Sequence, residues 1–353
     1  VNSNSQVELI LIQKLEDKIS TYLNQNNQIA AIPLIEQSLQ SRLILFGIDS
    51  MYTSSSAEQL VSTLNACAMQ NSDRHLLKKA LKLCEKFPSN RMSLLENQSL
   101  NNLSCIYRTQ NRPKTALSLL VKALDLIHPK SQSGQTAQTL SATIVTQLNL
   151  TAILSSLNRH TEALQHVDNA ILMCQRLIFL EDESRDLSTR GSVGDSSDEE
   201  GKSNLAHTDK TPSKSKQSEH FILLAIAYHN CGVEYEYLTK YQSALNCYIK
   251  AYQTCSQRLA VGDAAIDEPT KQNFKQLKEQ FKQSFESVAQ IIKSSANQFK
   301  STKKSMTNLT LNPSSSTKKP SVNNMNKSST QKNITRAMNS RLSFNRSQSA
   351  ATR

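Results

Sequence analysis

Residues 97–129 read NQSLNNLSCIYRTQNRPKTALSLLVKALDLIHP, and the fold of the chain turns on how they are parsed. Leu100, Leu103, Ser104 and Tyr107 recur at three- and four-residue steps, which places them on one face of a first helix. Ala116, Leu120 and Ala123 do the same for a second, before His128 and Pro129 close the stretch. Side chains as small as Ala116 and Ala123 let the second helix of such a hairpin press against the first, and against the next hairpin along.

The alanine pair comes back twice. Leu150, Thr151 and Leu154 precede Ala163 and Ala170, and Tyr228, Cys231, Gly232 and Tyr235 precede Ala244 and Ala251. These define units starting near Asn97, Ile144 and Ala225. Two weaker copies come earlier. One starts near Ile12, with Leu15, Ile19 and Tyr22 and then Ala31, Ile35 and Ser38; the other starts near Glu58, with Val61, Leu64 and Ala68 and then Leu77, Leu81 and Cys84. Repeated hairpins of this kind bury their apolar faces by stacking, and roughly three are enough for a stable array. The expected class is therefore all-α, a right-handed solenoid of stacked helical hairpins. Composition agrees: with 38% hydrophobic residues, 5% aromatics and no Trp, the core must rest on Leu, Ile and Ala in helices. Only 8 Pro and 7 Gly disfavour a turn-rich β or α/β fold.

The pattern resembles the tetratricopeptide repeat, whose consensus has a large residue at position 4, Leu at 7, a small residue at 8, Tyr at 11 and Ala at 20 and 27. Residues Leu100, Leu103, Ser104, Tyr107, Ala116 and Ala123 fill those positions in the unit from Asn97. The resemblance covers about residues 12 to 256. Its spacing exceeds the usual period of about 34 residues, and the stretch AAIPLIEQSLQSRLILFGIDS, residues 30–50, resembles the long-period repeats of kinesin light chains. The heptad region that precedes the repeats in that family is not seen here.

The organisation expected is four hairpins over residues 1–180, an insert over 181–219, a fifth hairpin with a helix over 220–300, and a tail over 301–353. The insert passes from EDESRD through GSVGDSSDEEG to TDKTPSKSK and has too few apolar residues to repay its ordering entropy, so it is expected to be disordered. After the fifth hairpin, Asp267 and Pro269 mark a helix start. Phe274, Leu277, Phe281, Phe285, Val288, Ile292 and Phe299 then line one face. A terminal repeat exposes an apolar flank, and this helix is expected to cap it. The tail holds no Asp or Glu but ten cations, among them Lys303, Lys304, Lys318, Lys319, Arg336, Arg341 and Arg346, so it carries ten of the formal net charge of +12. It is expected to be a disordered, Ser- and Asn-rich appendage.

Nothing in the sequence carries a recognisable catalytic constellation, so no enzyme activity, cofactor or metal is expected. His160 and His166 are the closest histidine pair, and a step of six sets them on opposite sides of a helix. No CxxC occurs among the seven cysteines, which are read as reduced, buried thiols of an intracellular protein. The longest early apolar run, residues 7–12, is too short to span a bilayer. The chain opens on Val1 rather than Met, the expectation being that an N-terminal piece is absent.

The resemblance implies a groove-facing role for repeat position 6, which is Asn102, Asn149 and Asn230 in the three clear units. An amide offers both a donor and an acceptor, and can bracket a peptide backbone whatever its side chains. The neighbours in the same register are Gln98, Asn101, Cys105 and Arg108, then Leu148, Ala152 and Ser155, then Ile226, His229, Val233 and Tyr237. Of these, Asn101, Arg108, Leu148, His229 and Val233 are the expected partner contacts. Asparagine there has a structural reading as well, bridging helices within the stack. The chaperone-binding subclass of the family has Asn at position 9 and Lys at position 5; here those are Cys105, Ala152 and Val233, and Asn101, Leu148 and His229, so that clamp is missing. Tyr107, Tyr228, Tyr235, Tyr241 and Tyr248 are read as core packing.

The function expected is a non-enzymatic adaptor, cytoplasmic and cytoskeletal or ciliary. It would take an extended partner peptide in its groove, while the tail adheres to an acidic surface such as tubulin. Nucleic-acid association through the tail is the competing reading, disfavoured by a single tail aromatic, Phe344; a purely structural part of a larger assembly is the third. Ser196 and Ser197 ahead of Asp198, and Ser343 and Ser349 after Arg341 and Arg346, are candidate phosphorylation sites.

Overall fold

A computed structural model describes residues 3–127, 136–190, 214–260 and 266–309, with side chains over 6–127, 136–183, 218–260 and 266–297. All eleven elements among the described residues are helices, and they fall into two compact units. The first unit holds α1 (Ser3–Asn24), α2 (Gln28–Phe46), α3 (Met51–Asn71), α4 (Arg74–Lys86), α5 (Asn90–Thr109) and α6 (Pro113–Ile127). The second holds α7 (Ala137–Ser156), α8 (His160–Arg190), α9 (Lys214–Tyr237), α10 (Tyr241–Ala260) and α11 (Glu268–Leu309). Within each unit every helix packs on the next in sequence. The first helices of successive hairpins also touch, α3 on α5 and α7 on α9. Each unit is thus a stretch of α-solenoid.

One turn geometry joins the two helices of all five hairpins. A single residue adopts the left-handed conformation in each: Asn26, Ser72, Asn111, Asn158 and Thr239, with φ between 55° and 59°. The residue after it donates its N–H to a carbonyl five back, from Asn27 to Tyr22 at 2.8 Å, Asp73 to Ala68 at 2.9 Å, Arg112 to Tyr107 at 2.9 Å, Arg159 to Leu154 at 2.9 Å and Lys240 to Tyr235 at 2.8 Å. These are Schellman closures. Asparagine fills three of the five positions because its short polar side chain tolerates the left-handed region. The turns therefore need no glycine.

The same turn sets the register of the alanines. The fourth residue past each closing N–H is Ala31, Leu77, Ala116, Ala163 or Ala244, and every one is fully buried. Ala123, Ala170 and Ala251, seven further on, are fully buried as well. Leu77 is the exception in size, and the hairpin it belongs to shifts its small residue to Ala80, also fully buried. Around these lie Leu15, Ile19, Ile35, Leu60, Leu64 and Met92 in the first unit, and Ile144, Val167, Cys174, Leu177 and Leu223 in the second.

The units begin earlier than expected. Starts read at Ile12, Glu58, Asn97, Ile144 and Ala225 lie within helices that open at Ser3, Met51, Asn90, Ala137 and Lys214. For the middle three the offset is 58 − 51, 97 − 90 and 144 − 137, seven residues each time, or about two turns. The repeat signature marks only the turns that touch the second helix, so the added turns leave no trace in it. Capping residues do mark the true starts: Ser50 accepts from Tyr52 N–H, Ser89 from Met92 N–H and Thr136 from Thr139 N–H.

Helix α11 packs on α10 and α9, burying Phe274, Phe281 and Val288 at seven-residue spacing. It takes the place that the first helix of a sixth hairpin would have. Three boundaries move. Helix α8 runs on to Arg190 and α9 opens at Lys214, so both ends of the segment 181–219 are helical. Helix α11 continues to Leu309, past residue 300. In each case the helix already present propagates at little cost once nucleated. Residues 191–213 and 310–353, with Ser196, Ser197, Ser343 and Ser349, lie outside the described residues, and so does the side chain of Phe299.

Candidate functional site

The asparagines of α5 divide into two groups. Asn97 is buried and donates from Nδ2 to the carbonyl of Ala123 at 2.9 Å, tying α5 to α6. Asn101 is buried one turn on and donates to the Asn97 carbonyl at 3.0 Å and to its Oδ1 at 3.2 Å. In α3, buried Asn65 accepts from the Ser99 hydroxyl at 2.9 Å and so ties α3 to α5. These amides belong to the stack. Asn101 is accordingly withdrawn from the partner-contact set, because its polar atoms are spent inside. Asn102 lies on another side of the same helix, half-buried, and bonds to no other described residue. Gln98, one turn before it, is exposed, and Arg108 further on is half-buried; Cys105 is buried.

In the second unit Asn149 is half-buried on α7, while Leu148 beside it packs into the core with Ile144 and Leu164. Leu148 is corrected to a core residue. Ala152 and Ser155 are buried too. Gln147 meets His166 of α8, with Oε1 and Nδ1 2.5 Å apart. Burial holds the imidazole below its ordinary value, so the neutral ring donates from Nδ1.

The last hairpin differs from both. Helix α11 covers its expected contacts: His229 Nε2 lies 3.0 Å from Ser284 Oγ, and the ring stacks on Phe281 at 4.8 Å and tilts against Tyr248 at 5.1 Å. Val233 packs with Val288 and Tyr248. Neither residue is open to a partner, because the place of a next first helix is already taken. Asn230 is only 3% exposed, and its Oδ1 is buried with no hydrogen-bond partner among the described residues. Ile226 stays half-buried, and Tyr237 stacks on His160 at 4.2 Å. Tyr248 is packing, as expected, with its hydroxyl donating to Glu236 Oε2 at 2.5 Å.

Two His–Glu contacts, both largely shielded from solvent, join α8 to α9. His160 Nδ1 meets Glu234 Oε2 at 2.8 Å, and His220 Nδ1 lies 3.0 Å from Glu181 Oε1. The two contacts sit toward opposite ends of an antiparallel pair, Glu181–His220 on the side of the insert and His160–Glu234 away from it. Sequence reading missed them because the partners stand 74 and 39 positions apart.

Of the expected tail contacts, Lys303 and Lys304 fall on the last turns of α11, and Lys318, Lys319, Arg336, Arg341 and Arg346 lie outside the described residues. Among the described residues no cluster of His, Cys, Asp or Glu could hold a metal ion. No described helix is long and apolar enough to cross a membrane.

The tetratricopeptide repeat family model matches residues 98–127 and 143–178, the hairpins α5–α6 and α7–α8. These two hairpins are tetratricopeptide repeats. The hairpins resemble the long-period kind, since consecutive ones open 90 − 51 = 39 and 137 − 90 = 47 residues apart. Among solved structures the chain is similar to BtubC (BKLC) from P. vanneervenii, at 16% identity over 70% of this chain and 80% of that one, TM-score 0.40. It is also similar to a Podosopora anserina protein named as a putative kinesin light chain with nearly identical TPR-like repeats. A point-substituted form of that protein aligns at 11% identity over 73% of this chain and 98% of that one, TM-score 0.35, and another form at 11% over 70% and 96%, TM-score 0.34. No curated protein matches the chain. Repeats of this family form protein-interaction scaffolds.

Proposed function

We propose that this protein is a non-enzymatic adaptor whose repeats hold extended partner peptide against first-helix faces, that of Asn102 in the first unit and that of Asn149 in the second. The observation that supports it is the state of Asn102. Asn65, Asn97 and Asn101 all spend their amides on the stack, whereas Asn102 keeps both its donor and its acceptor available on a half-exposed face. Gln98 extends that polar face by a turn. An amide pair of this kind matches a peptide group, one N–H and one C=O, without regard to the side chains of the peptide. Arg108 adds a cation that would favour a partner with acidic residues. Asn230, being buried, is left out of the contact set.

The experiment uses the full chain as bait. Partner proteins captured by the native protein and lost with Asn102→Ala and Asn149→Ala combined, at unchanged helicity, support the reading. Capture that is indifferent to both substitutions defeats it.

A second contact is favoured by the partition of charge, ten cations and no carboxylate over residues 301–353. The tail steadies the adaptor on an acidic surface, with the tubulin exterior as the candidate and the cytoskeleton or cilium as the setting. Such attraction between exposed charges is screened over about 8 Å at physiological salt, so microtubule co-sedimentation is expected to fall with added salt and on deletion of residues 301–353. RNA retained in place of microtubules would replace tubulin with a nucleic acid.

A further inference from the structure

Two thiols of the last hairpin lie against each other. Cys231 on α9 and Cys247 on α10 have their Sγ atoms 3.5 Å apart, and Cys231 Sγ also lies 3.7 Å from Asp168 Oδ1 on α8. We propose that Cys231 and Cys247 are an oxidation site, which a peroxide converts into a disulfide that staples α9 to α10 beside Asn230.

The geometry needs little change. A disulfide is about 2.05 Å long, so the sulfurs must close by about 1.5 Å. The two helices already approach closely at this level: a Cβ on Gly232, next to Cys231, would meet the Tyr248 ring at 2.6 Å. Glycine permits the contact, and the contact brings the two sulfurs together.

The two thiols differ in role. Cys247 is half-buried and therefore reachable, whereas Cys231 is buried. The hydrogen bond with Cys231 draws the Cys247 thiol below its ordinary value against the opposing effect of burial, and the Lys250 ammonium, nearly one turn on, adds to this. Burial pushes Cys84, Cys174 and Cys255 the other way, up to about 12, which leaves them inert. Asp168 is exposed on α8, and the packing of α9 against it desolvates its carboxyl enough to raise it. It is thus better able to accept a proton than an ordinary aspartate.

The steps balance as follows. The Cys247 thiolate attacks one oxygen of hydrogen peroxide, the O–O bond breaks, hydroxide leaves, and Cys247 becomes a sulfenic acid. Cys231 gives its proton to Asp168 and attacks the Cys247 sulfur. The S–O bond breaks, and the departing hydroxide takes up a proton as water. Two thiols and one peroxide yield one disulfide and two waters, the sulfurs losing the two electrons that the peroxide gains.

The test uses the full chain, treated with hydrogen peroxide, alkylated, and digested with trypsin without reductant. Cleavage after Lys216, Lys240 and Lys250 separates Cys231 and Cys247 onto different peptides. The expected product is those two peptides joined, two hydrogens lighter than their sum, with free thiols per chain falling from seven to five. Cys247→Ser removes the joined product and leaves every remaining thiol free to be alkylated after peroxide. Asp168→Asn slows the second step, so a sulfenic-acid trap labels Cys247 several-fold more. Peptides that stay separate with both cysteines alkylated overturn the proposal, and so does Cys247 carried to sulfinic acid while Cys231 remains free. Because the native chain alone gives the primary result, a variant that fails to fold does not decide it.

Discussion

The hairpins α5–α6 and α9–α10 share a turn, an alanine register and an asparagine at the same repeat position, yet that asparagine is half-exposed in one and buried in the other. The last hairpin is also the one covered by α11, whose Ser284, Phe281 and Val288 engage His229 and Val233. A repeat position therefore has no fixed role. What lies against the first helix decides whether its polar side chains meet a ligand or a neighbour.

The comparison rests on the alanines that both hairpins bury, and breaking them should have the largest effect. Ala116→Leu or Ala244→Leu inserts three carbons where the helices touch and is expected to cost about 3 kcal/mol, read as a lowered urea midpoint. A neutral outcome at either position would mean that the hairpin does not close on its alanine. Next comes Asn97→Ala, which removes the side-chain tie from α5 to the Ala123 carbonyl and one of the two acceptors of Asn101. Its expected cost is about 2 kcal/mol, with no selective loss of partner capture beyond that due to unfolding.

Thr239→Asn works in the opposite direction. Thr239 is the only β-branched residue among the five left-handed turn positions, and relieving it should stabilise by about 1 kcal/mol. The corresponding change at Asn111, Asn111→Thr, should destabilise by a similar amount, which tests the shared turn from both sides. The smallest effect on stability belongs to Asn102→Ala, within about 0.5 kcal/mol of the native chain as expected of a surface change, while partner capture weakens. If Asn102→Ala unfolds the protein as Asn97→Ala should, the distinction drawn between the two groups of α5 asparagines fails.

Much of this fold was legible from Ala116, Ala163 and Ala244, because a buried methyl-sized residue at a fixed distance from a turn is a local pattern. Phe274, Phe281 and Val288 were legible for the same reason, lying on one face of one helix. The added turns at the start of each hairpin were not, since they contribute nothing to the repeating contacts and are flagged only by caps such as Ser89. The candidate site was legible in part. Position 6 pointed to Asn102 and Asn149, but Asn101 next to it proved internal, and no local pattern separates two adjacent asparagines whose difference is which helix each one faces. His229 and Val233 depended on a segment some fifty residues downstream, and Cys231 with Cys247 on a distance across two helices. Periodicity reports neither.

Helix α11 has one further consequence. Its contacts with the last hairpin extend to Ile292, and the side chains from Lys293 to Asn297 are exposed, yet the helix runs on to Leu309. At 1.5 Å per residue those last seventeen residues reach about 25 Å beyond Ile292. Lys303 and Lys304 are therefore mounted on an outrigger and not on the repeats themselves. Whatever these two lysines touch is held off from the last hairpin by a set length, and breaking that rod would alter the reach of the adaptor without changing its first-helix faces.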